Sequence, residues 1–411
     1  MNKKLLAVAV AGAFAAPAVV FAQSSVTLYG SADVAYISKI HKARVGGDLS
    51  KTLGLGEGLH AGNRIGFRGS EDLGGGLSAQ FVIEQGINLT NGALFGSRAG
   101  AAGQQYDGLS AAAGGNNPSG SYTTGTNRQA FVGLKGSWGE LLAGYQYTTL
   151  YRVSTLSGYF VGTEGAGGGN SHGILDNGLY GGTRANGFTY NSPKFSDFQL
   201  TVQRGATGGR EDASFATAAG NNADNKTEND AHRWSLMLNY AKGPFSVTLG
   251  HTKLTTDVSA VAANLAACPV NVFGACTATS IAASAQVDSS ARLTQLGASY
   301  RLGGWKFMGT YANGRRSESV GATNIRSKSY SGGLEYTGGA FRPFITLGRA
   351  NSDLTSAGTQ INHIKDQQFG LRYDLSKRTL LYVMTGSTKD SATASAVSKR
   401  QFTGAGMYMS F

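Results

Sequence analysis

Arg233-Trp234-Ser235-Leu236-Met237-Leu238-Asn239-Tyr240-Ala241-Lys242-Gly243-Pro244-Phe245-Ser246-Val247-Thr248-Leu249-Gly250 reads as two strands and the turn between them. Trp234, Leu236, Leu238 and Tyr240 alternate with Arg233, Ser235, Met237 and Asn239. Beyond Lys242-Gly243-Pro244, Phe245, Val247 and Leu249 alternate with Ser246, Thr248 and Gly250. A period of two with one apolar row is the strand signal, and Gly-Pro is the punctuation expected between strands.

The same pattern recurs outward in both directions. Val26, Leu28, Gly30, Ala32, Val34 and Tyr36 alternate with Thr27, Tyr29, Ser31, Asp33 and Ala35 near the N-terminus. Phe369, Leu371, Tyr373 and Leu375 do so with Gln368, Gly370, Arg372 and Asp374 near the C-terminus. Short turns fall at 71–75, 136–139, 193–196, 242–244, 302–304, 337–339 and 375–378. Longer polar connections lie near 39–57, 88–126, 148–182, 205–230, 255–287, 314–326, 351–364 and 388–398. Seven turns and eight loops predict sixteen strands, and sixteen strands of ~11 residues fit the length.

Composition supports an all-β chain. Glycine supplies 61 of 411 residues and proline only 6, so this is not a disordered Pro/Gly segment. Charged residues make up 15 %, below the ~25 % of ordinary soluble domains. The net charge of +12 raises a nucleic-acid partner for consideration. The N-terminus argues against one: Met1-Asn2-Lys3-Lys4 is cationic, Leu5 to Phe21 is apolar, and Val20-Phe21-Ala22 is a small-residue cleavage pattern. That predicts a secretory signal peptide over residues 1–22 and a mature domain over 23–411, with no nucleic-acid partner. Lys3 and Lys4 leave with the signal and no acid does, so the mature charge becomes +10.

Past Ala22 no apolar run is long enough for a transmembrane helix. A bilayer can still be crossed by a closed barrel, in which every backbone N–H and C=O is paired between strands. The polar rows carry Arg, Glu, Asp, Gln and Ser, too many for a dry core. In a barrel of sixteen strands they face an aqueous lumen, and the apolar rows face lipid. The fold class predicted is therefore a transmembrane antiparallel β-barrel. Alternation places Arg64, Arg68 and Glu84 inward, because Ile65, Phe67, Phe81 and Ile83 form the apolar rows beside them, and the same reading extended to the next strand places Arg128 inward. Arg184 shares parity with Phe188 and Tyr190, so it faces inward only through a bulge or a loop position.

Asn63-Arg64-Ile65-Gly66-Phe67-Arg68-Gly69-Ser70-Glu71-Asp72-Leu73-Gly74-Gly75-Gly76-Leu77-Ser78-Ala79-Gln80-Phe81-Val82-Ile83-Glu84 resembles the second hairpin of Gram-negative trimeric general porins. Similar too are Ser25-Val26-Thr27-Leu28-Tyr29-Gly30, the stretch Asn127–Gly136, Tyr190-Asn191-Ser192-Pro193, Leu375–Thr379 and the terminal Phe411. The resemblance implies a homotrimeric channel in the bacterial outer membrane. It would pass small hydrophilic solutes, with the third loop (148–182) folded into the lumen. It also implies a positive cluster of Arg64, Arg128 and Arg184 opposite that loop, on which Arg152, Glu164 and Asp176 lie, and hence an anion preference. Phe411 is expected to serve as an assembly signal for barrel-inserting machinery. The chain departs from the family at Tyr145, where an arginine is usual, in a spacing from Arg184 to Pro193 one residue shorter, and in a C-terminus lacking a basic pair.

An outer-membrane enzyme and a surface adhesin are the alternative classes. Gly169-Asn170-Ser171-His172-Gly173 matches G-x-S-x-G, yet it lies in a glycine-rich loop rather than at a strand-to-helix elbow. Gly74–Ala79 fits a loose dinucleotide pattern but opens a strand. The histidines show no metal-ligand spacing, so neither a metal nor a cofactor is expected. Cys268 and Cys276, in the 255–287 loop of an exported chain, are expected to form a disulfide.

Overall fold

The computed structural model describes residues 25–43, 48–90, 128–156, 184–208, 229–258, 287–318, 324–355, 360–391 and 397–411. The expected signal peptide, Glu164, Asp176, the 169–173 motif, Cys268 and Cys276 lie outside the described residues. Strands β1 (Ser25–Ala43), β2 (Asp48–Glu57), β3 (Arg64–Gly74), β4 (Leu77–Gly86), β5 (Gln129–Gly136) and β6 (Gly139–Tyr147) lead to helix α1 (Thr149–Leu156). Then come β7 (Arg184–Asn191), β8 (Phe198–Gly208), β9 (Asn229–Lys242), β10 (Phe245–Val258), β11 (Val287–Leu302) and β12 (Trp305–Glu318). The series ends with β13 (Asn324–Tyr336), β14 (Phe341–Leu354), β15 (Gln360–Asp374), β16 (Thr379–Asp390) and β17 (Val397–Ser410).

Every pairing is antiparallel, and β1 closes the sheet against β17 from Ser31↔Ser410 onward. At the closing seam Gly30 and Phe411 exchange both main-chain hydrogen bonds, at 3.1 and 3.2 Å. Seventeen segments make sixteen staves. β3 pairs with β1 over Ser25–Ser31 and β2 pairs with it over Val34–Lys42, so the two share one stave interrupted at 58–63. The polar connection expected near 39–57 is thus corrected: β1 runs on to Ala43, and 48–57 is strand. Glycine, serine, threonine and lysine mask the alternation there, although Leu53 and Leu55 do face outward.

Exposure settles which face is which. In the hairpin of β9 and β10, Trp234 is 55 % exposed and Leu249 47 %, while Thr248 and Thr252 are 0 % and 1 %. Apolar side chains form the outer surface and the inner wall is mostly polar, the inverse of a soluble barrel. At the short-turn end, aromatic neighbours form an outer girdle: Phe198–Tyr240 at 4.7 Å, Trp305–Tyr336 at 5.1 Å and Phe341–Tyr373 at 4.5 Å between ring centroids. Amphipathic rings in that position mark a membrane–water boundary.

Helix α1 follows β6 but packs three to five staves away, on the inner face of β9–β11. Its Leu150 joins the buried cluster of Ala291, Leu293, Ala312 and Ile325. Thr149 Oγ1 meets Thr252 Oγ1 at 3.3 Å, and Val153 lies against Gly250. The continuation of this connection, residues 157–183, lies outside the described residues.

Candidate functional site: the luminal arginine cluster

Neighbouring staves β3 to β7 bring their inward side chains to one patch of wall. Glu84 on β4 is its centre and is almost fully buried. It accepts from Nε of Arg128, just before β5, and from the Tyr29 hydroxyl of β1 at 3.1 Å. Arg64 Nε on β3 lies 3.8 Å from the same carboxylate. Arg128 also donates through Nη2 to the Tyr147 hydroxyl at 2.9 Å. That hydroxyl accepts again from Arg184 Nη2 at 3.4 Å, and the Arg184 guanidinium lies over the Tyr147 ring at 4.8 Å. A cation on an aromatic face is held by the ring quadrupole.

Arg184 reaches this patch from the end of β7, of which it is the first residue, in continuous register opposite Tyr147. Gly144 of β6 and Gly187 of β7 face each other in register, with φ of +133° and +151°. Only glycine adopts such angles readily, and Phe188 faces outward on the same strand. Of the sequence-derived candidates, Arg64, Glu84, Arg128 and Arg184 therefore converge. Arg68 stands further along β3, its guanidinium 5.4 Å from the centre of the Tyr29 ring. Arg152 on α1 belongs to another network: Nη1 donates to Asn191 Oδ1 at 3.0 Å, and Asn191 in turn donates to Glu140 at 2.7 Å.

Sequence reasoning missed Tyr147 and Tyr151. Their rings stack at 4.4 Å with an interplanar angle of 15°, fastening the start of α1 to the arginine patch. Burial pushes the Tyr151 phenol up to about 12, so it adds no negative charge near neutral pH. The signal lay in the i, i+4 spacing of two tyrosines across the strand end, hidden because 148–182 reads as loop.

The charges do not balance at this patch. Among the described residues three guanidiniums gather around one carboxylate, Arg64 and Arg128 beside Glu84 and Arg184 on Tyr147. A second luminal group contrasts with it. On β13–β15, Glu335 accepts from Arg342 at 2.7 Å and Arg372 at 2.6 Å, and Arg342 also reaches Asp374 at 3.3 Å. There both guanidiniums are ion-paired directly to acids, and Lys306 lies opposite Glu335 in the ladder. Exposure differs within the first patch as well: the side chain of Arg64 is 30 % exposed and that of Arg128 is 11 %. Of these two, Arg64 is the more open to the lumen.

A family model described as Gram-negative porin matches residues 7–393. The chain belongs to the Gram-negative porin family. Two outer membrane porins resemble this porin over nearly their whole lengths. One, from Bordetella pertussis, is 27 % identical over 95 % of each chain. The other, outer membrane porin protein 32 of Delftia acidovorans, is 28 % identical over 98 % of this chain and 95 % of its own. Among solved structures, an anion-selective porin from Comamonas acidovorans shares the fold with a TM-score of 0.61. It is 22 % identical, over 95 % of this chain and all of its own. The porin is therefore an outer-membrane channel for passive diffusion of small hydrophilic solutes. Family membership, rather than any missing motif, sets aside the enzyme reading.

Proposed function

We propose that this porin prefers anions, and that Arg64, Arg128 and Arg184 set the preference at the narrow section of the lumen, opposite the connection 148–182. The observation that carries the reading is the excess of guanidiniums over carboxylates around Glu84. Charges on loops and rims are screened beyond ~8 Å at physiological salt, whereas an ion in the narrow section passes within that distance. Cationic rings lower the cost of confining an anion there and raise it for a cation. Placement of α1 on the inner face of β9–β11 supports the course proposed for the third loop. The shared fold with an anion-selective porin supports the direction of the preference.

The functional unit we propose is a homotrimer in outer-membrane lipid, delivered by the signal peptide 1–22 and inserted by barrel-assembly machinery. Its subunits meet along the outward rows Val26, Leu28, Gly30 and Ala405, Met407, Met409, where small residues allow close approach of two walls. The decisive experiment replaces Arg64 and Arg128 together with serine and measures the reversal potential in a salt gradient across a planar bilayer. The potential is expected to move toward cation selectivity. Wild-type selectivity in the double variant refutes the assignment.

A further inference from the structure

The interruption at 58–63 in the second stave is a built piece of the lumen. Between β2 and β3 the chain leaves the wall and packs against its inner face. Leu59 is fully buried among Ala35 and Ile37 of β1, Tyr382 and Met384 of β16, and Phe402 of β17. The His60 ring meets Tyr408 edge-on at 4.8 Å.

Asp33, an inward residue of β1, holds this insert. Its Oδ2 accepts from the main-chain N–H of His60 at 2.8 Å and of Ala61 at 2.6 Å. Its Oδ1 accepts from the Tyr382 hydroxyl at 2.6 Å, and that hydroxyl accepts from Leu59 N–H at 2.8 Å. The Gly58 N–H donates to the Asp33 carbonyl at 2.8 Å, and the Asn63 amide brackets the Asp33 main chain by bonding both its N–H and its C=O. A Cβ at Gly58 would lie 1.7 Å from the Asp33 carboxyl carbon, so this close approach admits only glycine. At its other end the insert abuts the arginine patch: a Cβ on Gly62 would stand 3.1 Å from Arg128 Nη1.

We infer that the 58–63 insert is a second narrowing element of the pore, and that Asp33 and Tyr382 are the positioning residues that set its bore. The inference rests on the arginine patch being the narrow section. A backbone layer on the β16–β17–β1 wall thins the lumen at the level of Arg128, on a different arc from the one that α1 covers. Because the Asp33 carboxylate is taken up by two main-chain donors and a phenol, it narrows the passage without offering a free anion to repel solutes. The insert is thus a steric element beside an electrostatic one.

The test uses Asp33→Asn and Tyr382→Phe in the full chain. Each removes anchors of the insert while keeping side-chain shape. Single-channel conductance is expected to rise by about 1.5-fold, since the narrowest cross-section limits ion flow. In liposome swelling, the solute size limit is expected to rise with it. Wild-type conductance and size limit in both variants, with normal heat-modifiable migration on gels, overturn the inference. A measurement on the unmodified porin guards against variants that fail to fold. Amides of Leu59, His60 and Ala61 are expected to exchange slowly, as ladder amides do, and rapid exchange overturns the inference. Loss of selectivity in the Arg64/Arg128 double variant alongside unchanged Asp33→Asn and Tyr382→Phe pores refutes the insert while sparing the arginine reading. A widened pore whose arginine variant keeps selectivity refutes the arginine reading alone.

Discussion

Glu84→Gln isolates the one acid in the arginine patch. The substitution keeps the side-chain shape and an acceptor for Tyr29, and it removes a charge now set against Arg64 and Arg128. At about 7 Å in a water-filled lumen, one charge acts on a passing monovalent ion with about 0.6 kcal/mol. Salt near 0.1 M, with a Debye length of ~10 Å, roughly halves this. The residual ~0.3 kcal/mol favours anions and opposes cations, so the two separate by ~0.6 kcal/mol, about threefold in permeability ratio. Reversal potentials in a KCl gradient should therefore move toward anions by that factor. Stability should move the other way. Arg128, mostly buried, loses its carboxylate and keeps Tyr147, which removes part of the ~3–5 kcal/mol seen when a buried pair is broken. A drift toward cations in Glu84→Gln, or no change, would refute the claim that this patch sorts ions.

Three further outcomes are expected. Gly187→Ala would place a Cβ 2.1 Å from the Arg204 carbonyl oxygen at a φ of +151°. It should cost on the order of 1–3 kcal/mol and reduce anion preference by displacing Arg184, read by heat-modifiability gels and reversal potential. Deleting Phe411 removes two main-chain bonds to Gly30, at ~1 kcal/mol each at an exposed seam. Refolding in detergent should largely survive, whereas membrane insertion in cells should fall sharply; equal losses would contradict a role in assembly. Detergent-extracted, unheated protein should migrate as a trimer, and a single monomeric mass by light scattering would refute the subunit contact along β1 and β17.

Period-two alternation carried most of the fold, because a wall one residue thick must put every second side chain in lipid. The rows through Trp234 and Leu249 are as legible in the chain as in the barrel. Legibility failed where the rule is suspended. The stretch 48–57 pairs as strand, but its inward positions carry small or polar residues that resemble loop composition. At Arg184 the alternation predicts the outside, and its place at the very start of β7 lets the guanidinium reach Tyr147 instead. The roles of Tyr147 and Asp33 were hidden for another reason. Their roles depend on partners brought together by closure of the sheet, which no local spacing encodes.

Asp33 and Tyr382 are 349 residues apart in sequence, yet their hydrogen bond lies within two staves of the closing seam. Contacts of such separation form only after the ends of the sheet have met, since the entropy of closing so long a loop must be overcome first. A sheet still open between β17 and β1 has nothing to dock Leu59 against and no Tyr382 to complete the anchor of Asp33. Its bore is accordingly set at the final step of assembly. The narrowed pore is thus a record of successful zippering: a subunit sealed out of register at β1–β17 would betray itself as a wider, noisier conductor before any loss of secondary structure could be measured.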